Sequence, residues 1–82
     1  MGEGYASLIM PARDVERAVE NVGFTKGGGV CNSLWINGTG WLTIETMMGT
    51  VEPIATSGGL LPIRCKKIVS FGDITEAWGL FN

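Results

Sequence analysis

The sequence of 82 residues contains no histidine. Without an imidazole, a serine or cysteine nucleophile lacks its usual activating base. The eight carboxylates are scattered along the chain, and the closest helical spacing is that of Glu16 and Glu20. Such a pair is more typical of a solvated helix face than of an acid–base dyad. The sequence therefore predicts a protein that is not an enzyme.

Cysteine is also scarce, with only Cys31 and Cys65. Two thiols without histidine are too few for a zinc site or for a disulfide framework. Both lie in alternating apolar segments, which favours buried, reduced thiols. The alternative is a disulfide bond between Cys31 and Cys65, because their separation in the sequence does not reveal the distance between their α carbons. We expect no metal and no cofactor.

Charged residues make up only 17% of the chain, and its net charge is −2. Long apolar runs are also missing. Arg64, Lys66 and Lys67 form the only basic cluster, too small for a phosphate-binding surface. No apolar run approaches the roughly 20 residues that a membrane-spanning helix needs. No secretory signal pattern is visible near Glu3. We therefore expect that the protein binds neither nucleic acid nor a membrane, and that it is synthesised in a cytoplasm.

Apolar residues, in contrast, reach 45% of this short chain. Small domains have a large surface for their volume and should be more polar than average. Partner subunits that cover part of the surface would explain the excess. The composition therefore predicts a homo-oligomer, a trimer or a pentamer.

The 13 glycines separate short apolar runs, as in all-β chains. Leu34 and Ile36 alternate with polar or aromatic neighbours, and Leu42 and Ile44 repeat the pattern. Between these runs, Asn37-Gly38 predicts a type I′ hairpin turn. Residues 14–82 are therefore expected to form one domain, a small antiparallel sandwich or open barrel of about five short strands in a meander. A longer strand, interrupted at Pro62, is predicted from Leu60 to Val69, and a closing strand with Trp78 and Ala77 on opposite faces is predicted from Ile74 to Phe81.

Two segments depart from this pattern. Residues 1–13 look like an N-terminal arm that docks on a neighbouring subunit or shell, because glycine and proline interrupt its apolar side chains. Those side chains are Tyr5, Leu8, Ile9 and Met10. Residues 14–22 carry an apolar stripe at helical spacing, which predicts one short helix. The stripe consists of Val15, Ala18, Val19 and Val22.

The order of three stretches resembles small virion proteins of phages and gene-transfer agents, of the spike-base type. Residues 33–38 (SLWING) and 40–44 (GWLTI) are similar to that family's strand, glycine turn and strand. Residues 59–68 (GLLPIRCKKI) are similar to its leucine-proline, basic-tipped strand, and residues 70–81 to its closing strand. The resemblance implies a structural protein of the virion, a capsid cement or decoration protein or a head spike base. Its partners would be the major capsid protein or another virion protein.

Trp35 and Trp41 flank the expected hairpin, where both can face the same way. Aromatic side chains of this kind anchor protein interfaces, which makes them candidate interface residues together with the apolar side chains of the arm. The competing hypothesis is a small soluble β binding module that uses the two tryptophans as a ligand platform. A monomer whose tryptophan fluorescence responds to a ligand would favour that alternative.

Overall fold

The computed structural model describes residues 14–81, which form an all-β domain of two antiparallel sheets. Its strands are β1 (Val15–Arg17), β2 (Ser33–Gly38), β3 (Gly40–Glu45), β4 (Val51–Thr56), β5 (Gly59–Leu61), β6 (Lys67–Ser70) and β7 (Ile74–Leu80). The four-stranded sheet has the order β1-β7-β2-β5, and the three-stranded sheet has the order β4-β3-β6. The all-β prediction is confirmed, and the arrangement is a sandwich rather than a barrel.

The core lies between the two sheets and follows the alternation of the sequence. Leu34 and Ile36 of β2 are almost completely buried, as are Leu42 and Ile44 of β3. Ile68 of β6 joins the same apolar cluster. Fully burying an aliphatic side chain of this size contributes about 1.5–3 kcal/mol. The inward-facing positions predicted on β2 and β3 are therefore confirmed.

The hairpin predicted at Asn37-Gly38 is wrong, because β2 and β3 belong to different sheets. β2 pairs with β5 and β7, and Asn37 lies within β2, opposite Glu76. Gly38 has a φ of 112°, and a Cβ atom there would lie 2.9 Å from the Cα atom of Ile74. Positive φ at an Asn-Gly sequence marks a change of direction, but it does not determine which strands pair. Here Gly38 lies where the chain crosses from one sheet to the other.

The helix predicted for residues 14–22 is also wrong. Its first half forms β1 at the edge of the four-stranded sheet, where Val15 pairs with Leu80. Asn21, at a φ of 61°, then reverses the chain, and Val19 and Val22 are more than half exposed. A helix this short is marginal alone, whereas valines suit an extended strand. Pairing with β7 therefore outweighs the helical spacing.

The C-terminal half differs from the expected meander. The long strand predicted between Leu60 and Val69 is divided into β5 and β6, which lie in different sheets on either side of the segment containing Pro62. β7 follows the expected closing strand, but it lies between β1 and β2. The described part of the chain therefore contains seven strands instead of about five. Among residues 14–81, no helix has the length and apolar character needed to cross a membrane.

Candidate interaction surface

The outer face of the three-stranded sheet carries an apolar surface. Because Leu42 and Ile44 point into the core, the alternate residues of β3 point outward. Cross-strand pairing aligns each of them with a residue of β4 on the same face. The pairs are Trp41 with Ala55, Thr43 with Pro53, and Glu45 with Val51. We call the surface formed by Trp41, Thr43, Val51, Pro53 and Ala55 the β3–β4 face.

Large side chains of this surface are open to solvent. Trp41 is 57% exposed and Val51 is 59% exposed. The turn from β3 to β4 adds two further apolar side chains beside Val51, since Met47 is 45% and Met48 is 88% exposed. These exposed apolar side chains make the β3–β4 face the candidate surface for contact with another molecule.

An ion pair borders the β3–β4 face. Glu45 lies at its end, and its carboxylate is 3.7 Å from the ammonium group of Lys67 on β6. Both side chains are about three-quarters buried, so neither presents an isolated charge. A partner without a strong charge of either sign can therefore approach this face without repulsion.

The free edge of β4 is less suited to binding. β4 is the outermost strand of its sheet, so one side of its backbone has no neighbouring strand in the described residues. Pro53 in the middle of β4 has no N–H group, and proline on an edge strand hinders the addition of another strand. The local chemistry therefore favours contact through side chains of the face over extension of the sheet.

Hydrogen bonds of the neighbouring turn fix the position of Trp41. The Trp41 N–H donates to a carboxylate oxygen of Asp73 at 2.9 Å, and the Asp73 N–H donates to the Trp41 carbonyl oxygen at 2.9 Å. Beside the indole lies an open depression of about 310 Å³. It is lined by Gly40, Trp41, Ala55, Thr56 and Ser57. The backbone of the exposed tryptophan is thus anchored to the turn that contains Asp73.

The four-stranded sheet carries the other two tryptophans. Trp35 of β2 lies opposite Trp78 of β7, and Leu60 of β5 continues the same row. Both tryptophans are half-buried, whereas Leu60 is 58% exposed. Trp78, which pairs directly with Trp35, was not among the predicted interface residues, although its alternation with Ala77 placed it on one face of the last strand.

Trp35 and Trp41 therefore do not form one platform. They lie on strands of different sheets, and each alternates with buried neighbours, so each occupies the outer face of its own sheet. The prediction that the two side chains face the same way depended on the Asn37-Gly38 hairpin and is wrong for the same reason. As separate interface residues, Trp35 and Trp41 stay predictions.

Polar contacts border the Trp35–Trp78 row at the crossing between the sheets. The Asn37 side-chain amide donates to a carboxylate oxygen of Glu76 at 2.8 Å, and the Arg17 guanidinium lies 3.3 Å from the other oxygen of that carboxylate. The Thr75 hydroxyl donates to the Asn37 carbonyl oxygen at 3.0 Å. Asn37 is thus a structural residue, but it stabilises the pairing of β2 with β7 rather than a hairpin turn.

The expectation of two buried thiols is confirmed. Cys31 and Cys65 are free and completely buried, and their sulfur atoms are 3.5 Å apart. The hydrogen bond with the Cys65 side chain lowers the pKa of Cys31, while the same hydrogen bond and burial raise the pKa of Cys65. Within residues 14–81, no three side chains of the metal-binding types lie close enough together to hold an ion.

The remaining predicted interface residues, Tyr5, Leu8, Ile9 and Met10, lie outside the described residues. Comparison of the chain with protein-family models, with curated proteins and with solved structures finds no match.

Proposed function

We propose that the chain is a non-enzymatic structural subunit that associates with copies of itself through the β3–β4 face. The observation that carries the proposal is the combination of exposure and apolar character on one sheet face, with Trp41 toward one end and Val51 at the other. Tryptophan at the centre of a contact is a frequent source of binding energy. Because the five residues that form the face are uncharged, two copies can bring these faces together despite the chain's net charge of −2.

The size of the face indicates how such subunits assemble. Strands of six residues extend about 20 Å, and two strands about 4.8 Å apart span about 10 Å. The resulting area of roughly 200 Å² is well below the approximately 800 Å² per partner of a standard interface. One such contact is weak alone, so a stable assembly needs several of them in a closed ring or on a lattice. A trimer or a pentamer satisfies this requirement.

The proposed place of assembly is a virion. The sequence resemblance to spike-base proteins supports this part of the proposal, and it gives the subunit the role of a capsid cement or decoration protein or a head spike base. The partner would be the major capsid protein or another virion protein. A particle surface repeats the same site many times, so weak contacts of one small subunit add up through avidity.

Two measurements test the proposal. Light scattering on the full-length protein is expected to give the mass of a trimer or a pentamer, and a monomer at all concentrations would contradict self-association. Quantitative mass spectrometry of phage-like particles purified from the source cells is expected to find the chain at a fixed ratio to the major capsid protein. Its absence from such particles would contradict the virion role but leave self-association standing.

The depression beside Trp41 favours a second candidate function, that of a binding module. Its lining residues include Trp41, Thr56 and Ser57, and none of them is charged. An indole stacks on flat or ring-shaped ligands, and hydroxyl groups hydrogen-bond to neutral ones. Titration of a monomeric sample with neutral sugars, followed by tryptophan fluorescence, tests this candidate. A response in the parent that is absent in Trp41→Ala would favour it over self-association.

A further inference from the structure

The two buried cysteines lie at equivalent places in the two sheets. Cys31 precedes the first residue of β2 by two positions, and Cys65 precedes the first residue of β6 by two positions. β2 belongs to the four-stranded sheet and β6 to the three-stranded sheet. A covalent bond between the two side chains would therefore join the sheets directly.

The backbone already holds the two residues at a suitable separation. The Cys31 N–H donates to the Cys65 carbonyl oxygen at 3.0 Å. Disulfides need α carbons about 4.4–6.8 Å apart, and a direct backbone hydrogen bond between the two residues is compatible with such a separation. The sulfur atoms are 3.5 Å apart, so rotation of the side chains suffices to bring them to the bonding distance of about 2.05 Å.

We propose that Cys31 and Cys65 form an intramolecular disulfide by exchange with a small-molecule disulfide such as oxidised glutathione. Nothing in this inference depends on the proposed assembly role. The closed loop runs from Cys31 to Cys65 and contains β2 to β5, and therefore the whole β3–β4 face. The bond fixes this face to the rest of the sandwich.

The exchange proceeds in two steps that balance. The Cys31 thiolate attacks one sulfur of oxidised glutathione, whose disulfide bond breaks, and one glutathione leaves and takes up a proton. The Cys65 thiolate then attacks the Cys31 sulfur of the mixed disulfide, and the second glutathione leaves in the same way. The protein loses two electrons and two protons, and both pass to the two glutathione molecules.

Both thiols are completely enclosed in the folded domain, so an oxidant reaches them during folding or local opening. The bond should then resist reductants for the same reason. Disulfides persist in oxidising surroundings such as the surfaces of virions and cells. The pair is thus expected to be reduced when the chain is synthesised in a reducing compartment and oxidised after exposure to an oxidising one.

The test is refolding of the full-length protein from urea, either with reduced and oxidised glutathione or with a reductant alone. The oxidised sample should lose the mass of two hydrogen atoms, contain no titratable thiol in denaturant and yield one peptide pair that links Cys31 to Cys65. Its urea midpoint should lie above that of the reduced sample. Cys31→Ser and Cys65→Ser are the controls, and each should keep one thiol that is titratable in denaturant.

Three results would overturn the proposal. In the first, both thiols remain titratable after oxidative refolding. In the second, oxidation yields only glutathione adducts, and in the third it yields only disulfides between chains. A urea midpoint that falls on oxidation would contradict the claim that the bond joins the sheets in their native positions.

Discussion

The two sheets of this small sandwich each carry tryptophan on the outer face, but they expose it differently. Trp35 and Trp78 pair across β2 and β7 in the middle of the four-stranded sheet and are half-buried. Trp41 on the three-stranded sheet is 57% exposed and lies opposite the small Ala55 of an edge strand. The same residue type therefore contributes to folding on one sheet and is available to a partner on the other.

The difference between the faces depends on how the chain crosses from one sheet to the other at Gly38. We expect Gly38→Ala to lower the free energy of unfolding by about 3 kcal/mol, through positive φ and through the approach of the new Cβ to the backbone of Ile74. Gly49→Ala is the matched control, because Gly49 also has positive φ but a Cβ added there would have no neighbouring atom within 4 Å. It should cost only about 1 kcal/mol. Urea denaturation measures both, and equal losses would show that the crossing at Gly38 is not closely packed.

Replacing the tryptophans one at a time compares the faces directly. Trp35→Ala removes a half-buried side chain and should cost about 2 kcal/mol of stability, less than a fully buried tryptophan. Trp41→Ala removes a side chain that is mostly in solvent and should cost less than about 1 kcal/mol when the protein is dilute enough to be monomeric. Chemical denaturation at low concentration gives both values. The reverse order would mean that the exposed tryptophan is the one that stabilises the fold.

Deletion of residues 1–13 tests the predicted N-terminal arm. Their apolar side chains should add to assembly without forming part of the core of residues 14–81. We expect association to weaken about tenfold, equivalent to about 1.4 kcal/mol, while the far-ultraviolet circular dichroism of the domain is retained. Sedimentation equilibrium and circular dichroism on the same sample measure the two effects. Loss of the β spectrum would show that the segment belongs to its own domain's fold.

The smallest effect concerns the edge of the four-stranded sheet at acid pH. Burial alone would raise the pKa of Glu16, but the N–H groups of Lys26 and Thr25, the Thr25 hydroxyl and the Lys26 charge together hold it below its usual range. A lowered pKa in the folded state stabilises the domain above the ordinary glutamate pKa, and this contribution is lost as the pH falls through the lowered value. Glu16→Gln should therefore be slightly less stable than the parent at neutral pH, and the gap should close in acid. Thermal denaturation across this pH range measures the gap, and a constant difference would contradict the lowered pKa.

The sequence predicted which residues lie in the core better than it predicted which strands pair with each other. Alternation on β2 and β3 was enough to place Leu34, Ile36, Leu42 and Ile44 inside, because side-chain direction in a strand is a local property. Pairing is not local: Trp35 and Trp78 are neighbours only because distant segments align as β2 and β7. Neither the Asn37-Gly38 signal nor the helical spacing of residues 14–22 contains that information. Of the residues on the β3–β4 face, only Trp41 was predicted from the sequence. The residues of β4 were missed because their orientation depends on the pairing of β4 with β3.

Two exposed apolar side chains allow the central claim to be tested with a matched pair of variants. Val51 on edge strand β4 is 59% exposed and Leu60 on edge strand β5 is 58% exposed, but they lie on different sheets. Sedimentation equilibrium of the full-length protein should show that Val51→Asp is a monomer, whereas Leu60→Asp assembles like the parent. If both variants assemble, or if only Leu60→Asp is monomeric, the β3–β4 face is not the surface through which the subunits associate.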